Sequence, residues 1–196
     1  MSCLMAVTSM RAGNNAGYGP VKDEQAFRKE LMTRTSAVTS IQTKFIQEKF
    51  LSVFSRIVKS EGRFYWQTPA KYRITIAGDR IKTVSNGKAN VISAKGNPMM
   101  DQMSLLIAAC MTGNLSAMGS GFKTVVMESK SDFLITITPQ SQTVRNYISM
   151  MEIYLDKQDY SVNRLVMYEN ETDYTGYVFS EKKFNETIPF AVFDVR

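Results

Sequence analysis

The 196-residue chain contains no histidine, only two cysteines and a single tryptophan. The absence of histidine removes the commonest general base and the commonest metal ligand. Cys3 and Cys110 match none of the spacings of zinc or redox motifs. The sequence also lacks a glycine-rich phosphate loop and a G-x-S-x-G nucleophile elbow. We therefore expect no enzymatic activity, no metal site and no cofactor.

Long apolar runs and blocks of like charge are also absent from the sequence. No segment reaches the ~18 consecutive apolar residues that span a bilayer. The formal net charge is +6, but no run of five basic residues marks a nucleic-acid-binding tail. A chain of this length that is 44% hydrophobic suits one domain with a sizeable core. The thirteen methionines indicate either an adaptable apolar surface or a core in which Met replaces Leu.

The first twenty residues have the composition of a leader. Residues 3–7 form a short apolar run, and a Gly/Asn-rich stretch follows at 13–19. This pattern is typical of a disordered leader, or of a secretory signal peptide whose charged start and most of whose apolar region are missing. We expect residues 1–20 to be such a leader or signal-peptide remnant, and residues 21–196 to form a single domain.

Hydrophobic periodicity predicts two helices and a long series of strands. Residues 23–38 show a helical pattern with Asp23 at the N-cap. Asn97, Pro98 and Gly113 delimit a second helix that is almost entirely apolar, so it must be covered on most sides. Alternation with a period of two predicts strands at about 41–50, 54–67, 71–77, 80–85, 88–93, 122–128, 132–138, 146–156, 161–169 and 173–180, and a last extended piece within 184–195.

The separators between these strands are short and resemble turns. Ser85-Asn86-Gly87 contains the Asn-Gly pair that is typical of hairpins. Strands joined in this way form a meander, so the sheet should be antiparallel and large. The predicted fold class is mainly β with helices (α+β): a curved antiparallel sheet that forms an incomplete β-barrel, with α-helices packed as a lid over its concave face.

The stretch GRFYWQTPAKYR, residues 62–73, mixes aromatic and basic residues. Such a mixture indicates either a nucleic-acid platform or a half-buried strand. In a strand, Phe64, Trp66 and Thr68 point to one face, and Arg63 points to the other. A nucleic-acid platform needs aromatic and basic side chains on the same face. We therefore expect a half-buried sheet here and no nucleic-acid partner.

Several motifs together carry a family resemblance. They are Phe45-x-Gln47; Gly62-x-Phe64-x-Trp66-x-x-Pro69-x-Lys71-Tyr72-Arg73; the turn Ser85-Asn86-Gly87-Lys88; the apolar helix at 99–111; and the closing stretch at 185–193. In order and spacing, over about residues 23–195, they resemble the periplasmic outer-membrane lipoprotein carriers, the LolA family.

The resemblance implies a location, a ligand and partners. LolA-family carriers work in the periplasm, where an apolar cavity under the lid shields acyl chains. The resemblance thus implies an acylated lipoprotein or lipid ligand, an inner-membrane donor transporter and an outer-membrane acceptor. We expect a monomer. The alternative is a module of the same fold that senses lipids or lipoproteins without transporting them.

The candidate site residues combine the strand alternation with this resemblance. The expected cavity residues are Phe64, Trp66, Thr68, Tyr72, Ile74, Ile76, Phe133, Ile135 and Ile137, and the expected lid residues are Phe27, Leu31, Met103, Leu106, Ile107 and Cys110. A filled core and a plain buried helix would use the same side chains.

Two polar positions within this pattern leave questions open. Thr68 stands where typical family members carry an Arg that ties down the lid, and a hydroxyl cannot supply that charged fork. Glu152 is either a buried acid or a residue near a strand end in water.

Overall fold

The computed structural model describes residues 17–67, 71–76, 79–85, 88–91 and 120–192, and the side chains of 17–67 and 120–192. Helix α1 spans Glu24–Ser36 and the short helix α2 spans Gln142–Arg145. The strands are β1 Gly19–Pro20, β2 Ser40–Leu51, β3 Arg56–Gln67, β4 Lys71–Ile76, β5 Asp79–Ser85, β6 Lys88–Val91, β7 Phe122–Glu128, β8 Asp132–Pro139, β9 Met150–Asp156, β10 Val162–Tyr168 and β11 Tyr174–Phe184.

These strands form one antiparallel sheet in the order β1-β7-β8-β9-β10-β11-β2-β3-β4-β5-β6. Strands β2–β6 follow one another as a meander, and so do β7–β11. The β11–β2 ladder joins these two halves, with Phe179 opposite Phe45. Among the described residues the order ends at β1 and β6, so the sheet is open, as an incomplete barrel requires. The predicted large antiparallel sheet and the mainly β class are confirmed.

Helix α1 begins where the sequence predicts. The Asp23 carboxylate accepts a hydrogen bond of 2.9 Å from the Ala26 N–H, which satisfies one of the N–H groups left unpaired in the first turn. Phe27 and Leu31, four residues apart on one side of the helix, are buried against the sheet. Arg28 and Arg34 pair with Glu24 and Glu30 on the exposed surface.

The predicted hairpins at 77–79 and 85–87 are confirmed by register. Ile76 is opposite Asp79, and Ser85 is opposite Lys88. The predicted turn after Asp156 also joins two paired strands, because Leu155 lies opposite Val162. The second predicted helix, 97–113, lies outside the described residues.

Three predicted strand boundaries are wrong. The strand predicted to begin at about 54 begins at Arg56. Residues 52–54 form a 3-10 turn, and Ser55 closes the β2–β3 hairpin in the left-handed conformation (φ 47°). Residues 142–145 are helical, so β9 begins at Met150 rather than near 146. In the C-terminal tail, β11 continues to Phe184, and Phe190–Val192 forms a 3-10 turn after Pro189 in place of an extended piece.

The N-terminal boundary also differs from the expectation. Gly19 and Pro20 pair with Glu128 and Met127 of β7 as strand β1. Tyr18 packs edge-on against Tyr154 with ring centroids 6.2 Å apart. Gly19 and Pro20, which fall within the expected leader, are therefore part of the sheet.

Candidate ligand-binding face

One face of the sheet, which we call the inner face, is apolar across most of its width. Register places side chains from seven neighbouring strands, β3, β2, β11, β10, β9, β8 and β7, on this face. They form a single buried cluster that contains Phe64, Ile41, Phe45, Phe179, Leu165, Met167, Met151, Ile153, Leu155, Phe133, Ile135 and Ile137. This cluster is the largest apolar surface that the described residues provide, and it is the candidate site.

The structure brings together the predicted site residues whose side chains it describes. Phe64, Phe133, Ile135 and Ile137 belong to the inner-face cluster, and Trp66 packs against it. Phe27 and Leu31 of α1, which are the predicted lid contacts, belong to the same cluster. Membership in the cluster suits a filled core as well as a cavity wall, so the assignment of these residues to ligand binding remains a prediction.

The other predicted site residues are described in part or not at all. The backbone of β4 pairs Tyr72 with Trp66, Ile74 with Phe64, and Ile76 with Gly62, next to the inner-face cluster. The β4 side chains and the residues Thr68, Met103, Leu106, Ile107 and Cys110 lie outside the part whose side chains the structure describes.

The prediction missed most of the inner face in the C-terminal half. The residues that line this part and that are not among the predicted site residues are Met151, Ile153, Leu155, Leu165, Met167 and Phe179. Phe45, near the centre of the face, is part of a family motif but not of the predicted site. The signal was present, because residues 151, 153 and 155 alternate with polar or aromatic neighbours. In β9 and β10, however, many of the residues that alternate with the inner-face side chains are also buried. The difference in polarity between the two faces is therefore weak in the sequence.

Helix α1 is fixed to one end of the inner face by aromatic and cationic contacts. The Phe27 ring lies 4.6 Å from that of Phe133 and 5.9 Å from that of Tyr160. The Arg34 guanidinium sits 4.8 Å over the Tyr160 ring, and it also donates a hydrogen bond to the Gln158 carbonyl. The helix therefore covers the β8 end of the face and the turn after β9.

A charged pair borders the same end of the face. Lys157 donates a hydrogen bond to the Glu128 carboxylate and lies 5.0 Å over the Phe133 ring. This hydrogen bond, reinforced by a second from the Lys22 backbone N–H, holds the pKa of the Glu128 carboxyl below its usual value. Paired charged groups therefore lie between this end of the apolar face and the solvent.

Few polar groups lie on or beside the inner face, and they make hydrogen bonds to neighbouring strands. Thr43, which is buried, donates to the Ser180 carbonyl at 2.7 Å. At the bulge in β11, Lys182 donates hydrogen bonds to Ser161, just before β10, and to Asn163 of β10. No group of three potential metal-ligating side chains occurs within the described ranges. The described part of the inner face thus offers mainly apolar contacts.

A depression of about 540 Å³ lies over β2, β3 and β11, and Phe45 of the inner-face cluster forms part of its lining. Its lining includes Lys44, Glu61, Arg63 and Glu181, and Lys44 bonds to Glu181 at 2.7 Å. Covering these charged groups with an acyl chain would cost desolvation free energy. This depression therefore does not suit an apolar ligand.

Comparison with known families agrees with this architecture. The family model for the outer membrane lipoprotein carrier protein LolA matches residues 36–196, which include the whole sheet except β1. The chain belongs to the LolA family. The predicted resemblance is thus confirmed. No curated protein matches the sequence, so this LolA-family member is a divergent one.

Some solved structures resemble this chain at low sequence identity. The crystal structure of MucB has a TM-score of 0.50 and 14% identity, covering 91% of this chain and 65% of that one. The Pseudomonas aeruginosa MucA/MucB complex gives a TM-score of 0.50 and 12% identity, over 87% of this chain and 61% of that one. This chain thus spans a little under two thirds of the MucB chains. The Mycobacterium tuberculosis lipoprotein LppX gives a TM-score of 0.37 and 11% identity, over 85% and 99%.

These similarities concern the fold alone. The described helices of this LolA-family chain include none with the length and apolar character needed to cross a bilayer.

Proposed function

We propose that this LolA-family protein is a periplasmic carrier that shields the acyl chains of a lipoprotein or lipid and delivers this cargo toward the outer membrane. The observation that supports the proposal is the inner face, an apolar surface contributed by seven neighbouring strands of an open sheet. Membership of the lipoprotein-carrier family supports both the cargo and the location.

The physical argument concerns the cost of exposing hydrocarbon to water. Each CH₂ group moved from an apolar environment into water costs about 0.8 kcal/mol. An acyl chain of ordinary length would therefore not leave a membrane without an apolar surface to receive it. Phenylalanine, isoleucine, leucine and methionine side chains provide such a surface on the inner face.

A carrier must also release its cargo, which favours an adaptable surface over a rigid one. Met151 and Met167 lie side by side near the middle of the inner face, because they are register partners in β9 and β10. The flexible thioether side chain accommodates ligands of different shapes. An open sheet can also change its curvature more readily than a closed barrel.

The proposal includes partners and a mode of action. The donor is an inner-membrane transporter, and the acceptor is an outer-membrane protein. The carrier acts as a monomer and as a binding protein rather than as an enzyme.

The first test asks whether the protein carries lipid. The full chain is purified from its native envelope, and the extracted ligand is identified by mass spectrometry. The delipidated protein is then titrated with a fluorescent fatty-acyl probe while emission from Trp66, the only tryptophan, is recorded. We expect saturable binding and a change in Trp66 emission, because Trp66 packs against the inner-face cluster. Folded protein that binds no acyl probe would remove the proposal.

A matched pair of variants asks where the ligand binds. Phe45 and Ile46 are neighbours in β2, but Phe45 is 2% exposed on the inner face and Ile46 is 44% exposed on the other face. We expect Phe45→Leu to weaken probe binding several-fold and Ile46→Leu to leave it unchanged, with both variants folded. Equal effects of the two variants would place the ligand elsewhere.

Transfer is tested separately from binding. Loaded protein is mixed with outer-membrane vesicles, and labelled cargo is followed into the vesicle fraction. We expect the cargo to move. Saturable binding without any transfer would instead favour the alternative, a lipid-sensing module of the same fold.

A further inference from the structure

The tip of the β2–β3 hairpin, at the turn Ser52–Phe54, exposes adjacent apolar side chains. Val53 is 85% exposed and Phe54 is 61% exposed. They are the first and fourth most exposed of the large apolar side chains in the described residues. Nothing in the inner-face site uses them. A valine–phenylalanine pair in water is unfavourable, so its exposure calls for a function.

The neighbouring turn holds this tip in place. The Asp173 carboxylate, in the turn between β10 and β11, accepts a hydrogen bond of 2.7 Å from the Ser52 N–H. Asn170 and Thr172 bond to the same carboxyl group. Ser55 closes the turn in the left-handed conformation, and its N–H bonds to the Ser52 carbonyl at 3.1 Å. Val53 and Phe54 are therefore presented by an anchored turn.

The charges behind the tip favour a particular kind of partner. Lys59 pairs with Glu48, and Lys49 pairs with Glu169. In the described part of the chain, the Arg56 guanidinium has no carboxylate partner, and it lies 5.8 Å from the Phe54 ring centroid. The tip thus combines an apolar apex with one cation directly behind it.

We propose that this tip inserts into the surface of a phospholipid bilayer, with Val53 and Phe54 at the level of the first acyl carbons and the Arg56 guanidinium among the lipid phosphates. Aromatic side chains and arginines occupy these depths at membrane interfaces. Exposed Glu171 on the neighbouring turn opposes attraction to anionic lipid, so the apolar apex supplies most of the affinity.

A weak, reversible membrane contact suits a carrier that visits two membranes. The inference rests on the proposed function for its purpose. Its evidence is independent, because the tip and the inner-face cluster share no residue.

The experiment measures flotation of the full-length protein with vesicles of phosphatidylethanolamine and phosphatidylglycerol. We expect the wild-type protein to float with the vesicles and Val53→Ser/Phe54→Ser to reduce the bound fraction about tenfold, through the loss of two buried apolar side chains. Met32→Ser, which changes a side chain that is 63% exposed on α1, is the matched control and should float like the wild type. Arg56→Gln should weaken binding mainly to vesicles that contain phosphatidylglycerol.

Fluorescence then locates the tip. In a Trp66→Phe background, Phe54→Trp should shift its emission to the blue on vesicle binding and be quenched by brominated lipid. Wild-type protein that does not float, or a double variant that floats equally well, would overturn the inference. Retention of acyl-probe binding by the double variant separates this outcome from failure of the carrier proposal.

Discussion

Tyr168 donates a hydrogen bond of 2.9 Å from its hydroxyl to the Glu152 carboxylate, between neighbouring strands β10 and β9. Tyr154 donates a second bond of 2.9 Å to the same oxygen. Glu152 is only 4% exposed, on the face of the sheet opposite the inner face. A buried carboxylate is tolerated where donors replace the lost water, and two tyrosine hydroxyls do so here.

Removing one donor should therefore destabilise the fold. We expect Tyr168→Phe to lower the free energy of unfolding by about 1.5–3 kcal/mol, the range for hydrogen bonds to charged groups. Urea denaturation measures the change. Tyr147→Phe, at a side chain that is 54% exposed, is the control and should stay within about 0.5 kcal/mol of the wild type. Equal effects of the two variants would mean that Glu152 does not depend on Tyr168.

Alkaline pH should weaken the same cluster. Burial, and then the charge of Glu152, raises the pKa of both Tyr154 and Tyr168 well above 10. In the unfolded chain these tyrosines lose their protons near pH 10, whereas in the folded protein they keep them. Stability is thus fully present below about pH 10 and falls as the pH rises through the folded-state values.

Urea midpoints between neutral pH and about pH 11 would test this sign. Glu152→Gln removes the charge that contributes to the shift, so its loss of stability with rising pH should be shallower. A stability that is flat or rising over this range would contradict the assignment.

Helix α1 should contribute directly to the core. Phe27 is 4% exposed and contacts Phe133 and Tyr160, so Phe27→Ala should cost about 3–5 kcal/mol of unfolding free energy. Met32→Ala, on the exposed side of the same helix, should cost less than about 0.5 kcal/mol. If Phe27→Ala melts like the wild type but takes up acyl probe faster, then α1 is a loosely docked cover.

The anchor of the β2–β3 tip should respond to acid. Hydrogen bonds from Ser52, Asn170 and Thr172 lower the pKa of the Asp173 carboxyl to about 2. The stabilisation is present above the ordinary value of about 3.9 and is lost as the pH falls toward the folded-state value. Hydrogen exchange at the Ser52 amide should therefore be slow at neutral pH in the wild type and faster in Asp173→Asn. An unchanged exchange rate would show that the turn is stable without the Asp173 carboxylate.

Features with a local cause could be predicted from the sequence. The Asp23 cap depends on an N–H three residues away, and the hairpin turns depend on two or three adjacent residues. Alternation within β8 was sufficient to assign Phe133, Ile135 and Ile137 to one face. The antiparallel sheet could be predicted because short turns place successive strands side by side in opposite directions.

Features decided by distant residues could not be predicted. The sequence predicts a break between strands near residues 51–53, but not that the turn there is anchored by Asp173, far along the chain. Whether Glu152 was buried depended on Tyr168, which reaches it only once β9 and β10 pair. The inner face of the C-terminal half was obscured because these two strands bury side chains on both faces.

The ladder between β11 and β2 has a consequence for how the protein folds. It pairs Phe179 with Phe45, about 130 residues apart, whereas the other long ladders join strands that follow one another in the chain. Bringing such distant segments together costs loop entropy before any contact compensates for it, so this step should be slow. Until it is complete, β2 is an unpaired edge with apolar residues exposed. A newly made chain would then be most prone to aggregate in the interval before its last long strand, β11, arrives.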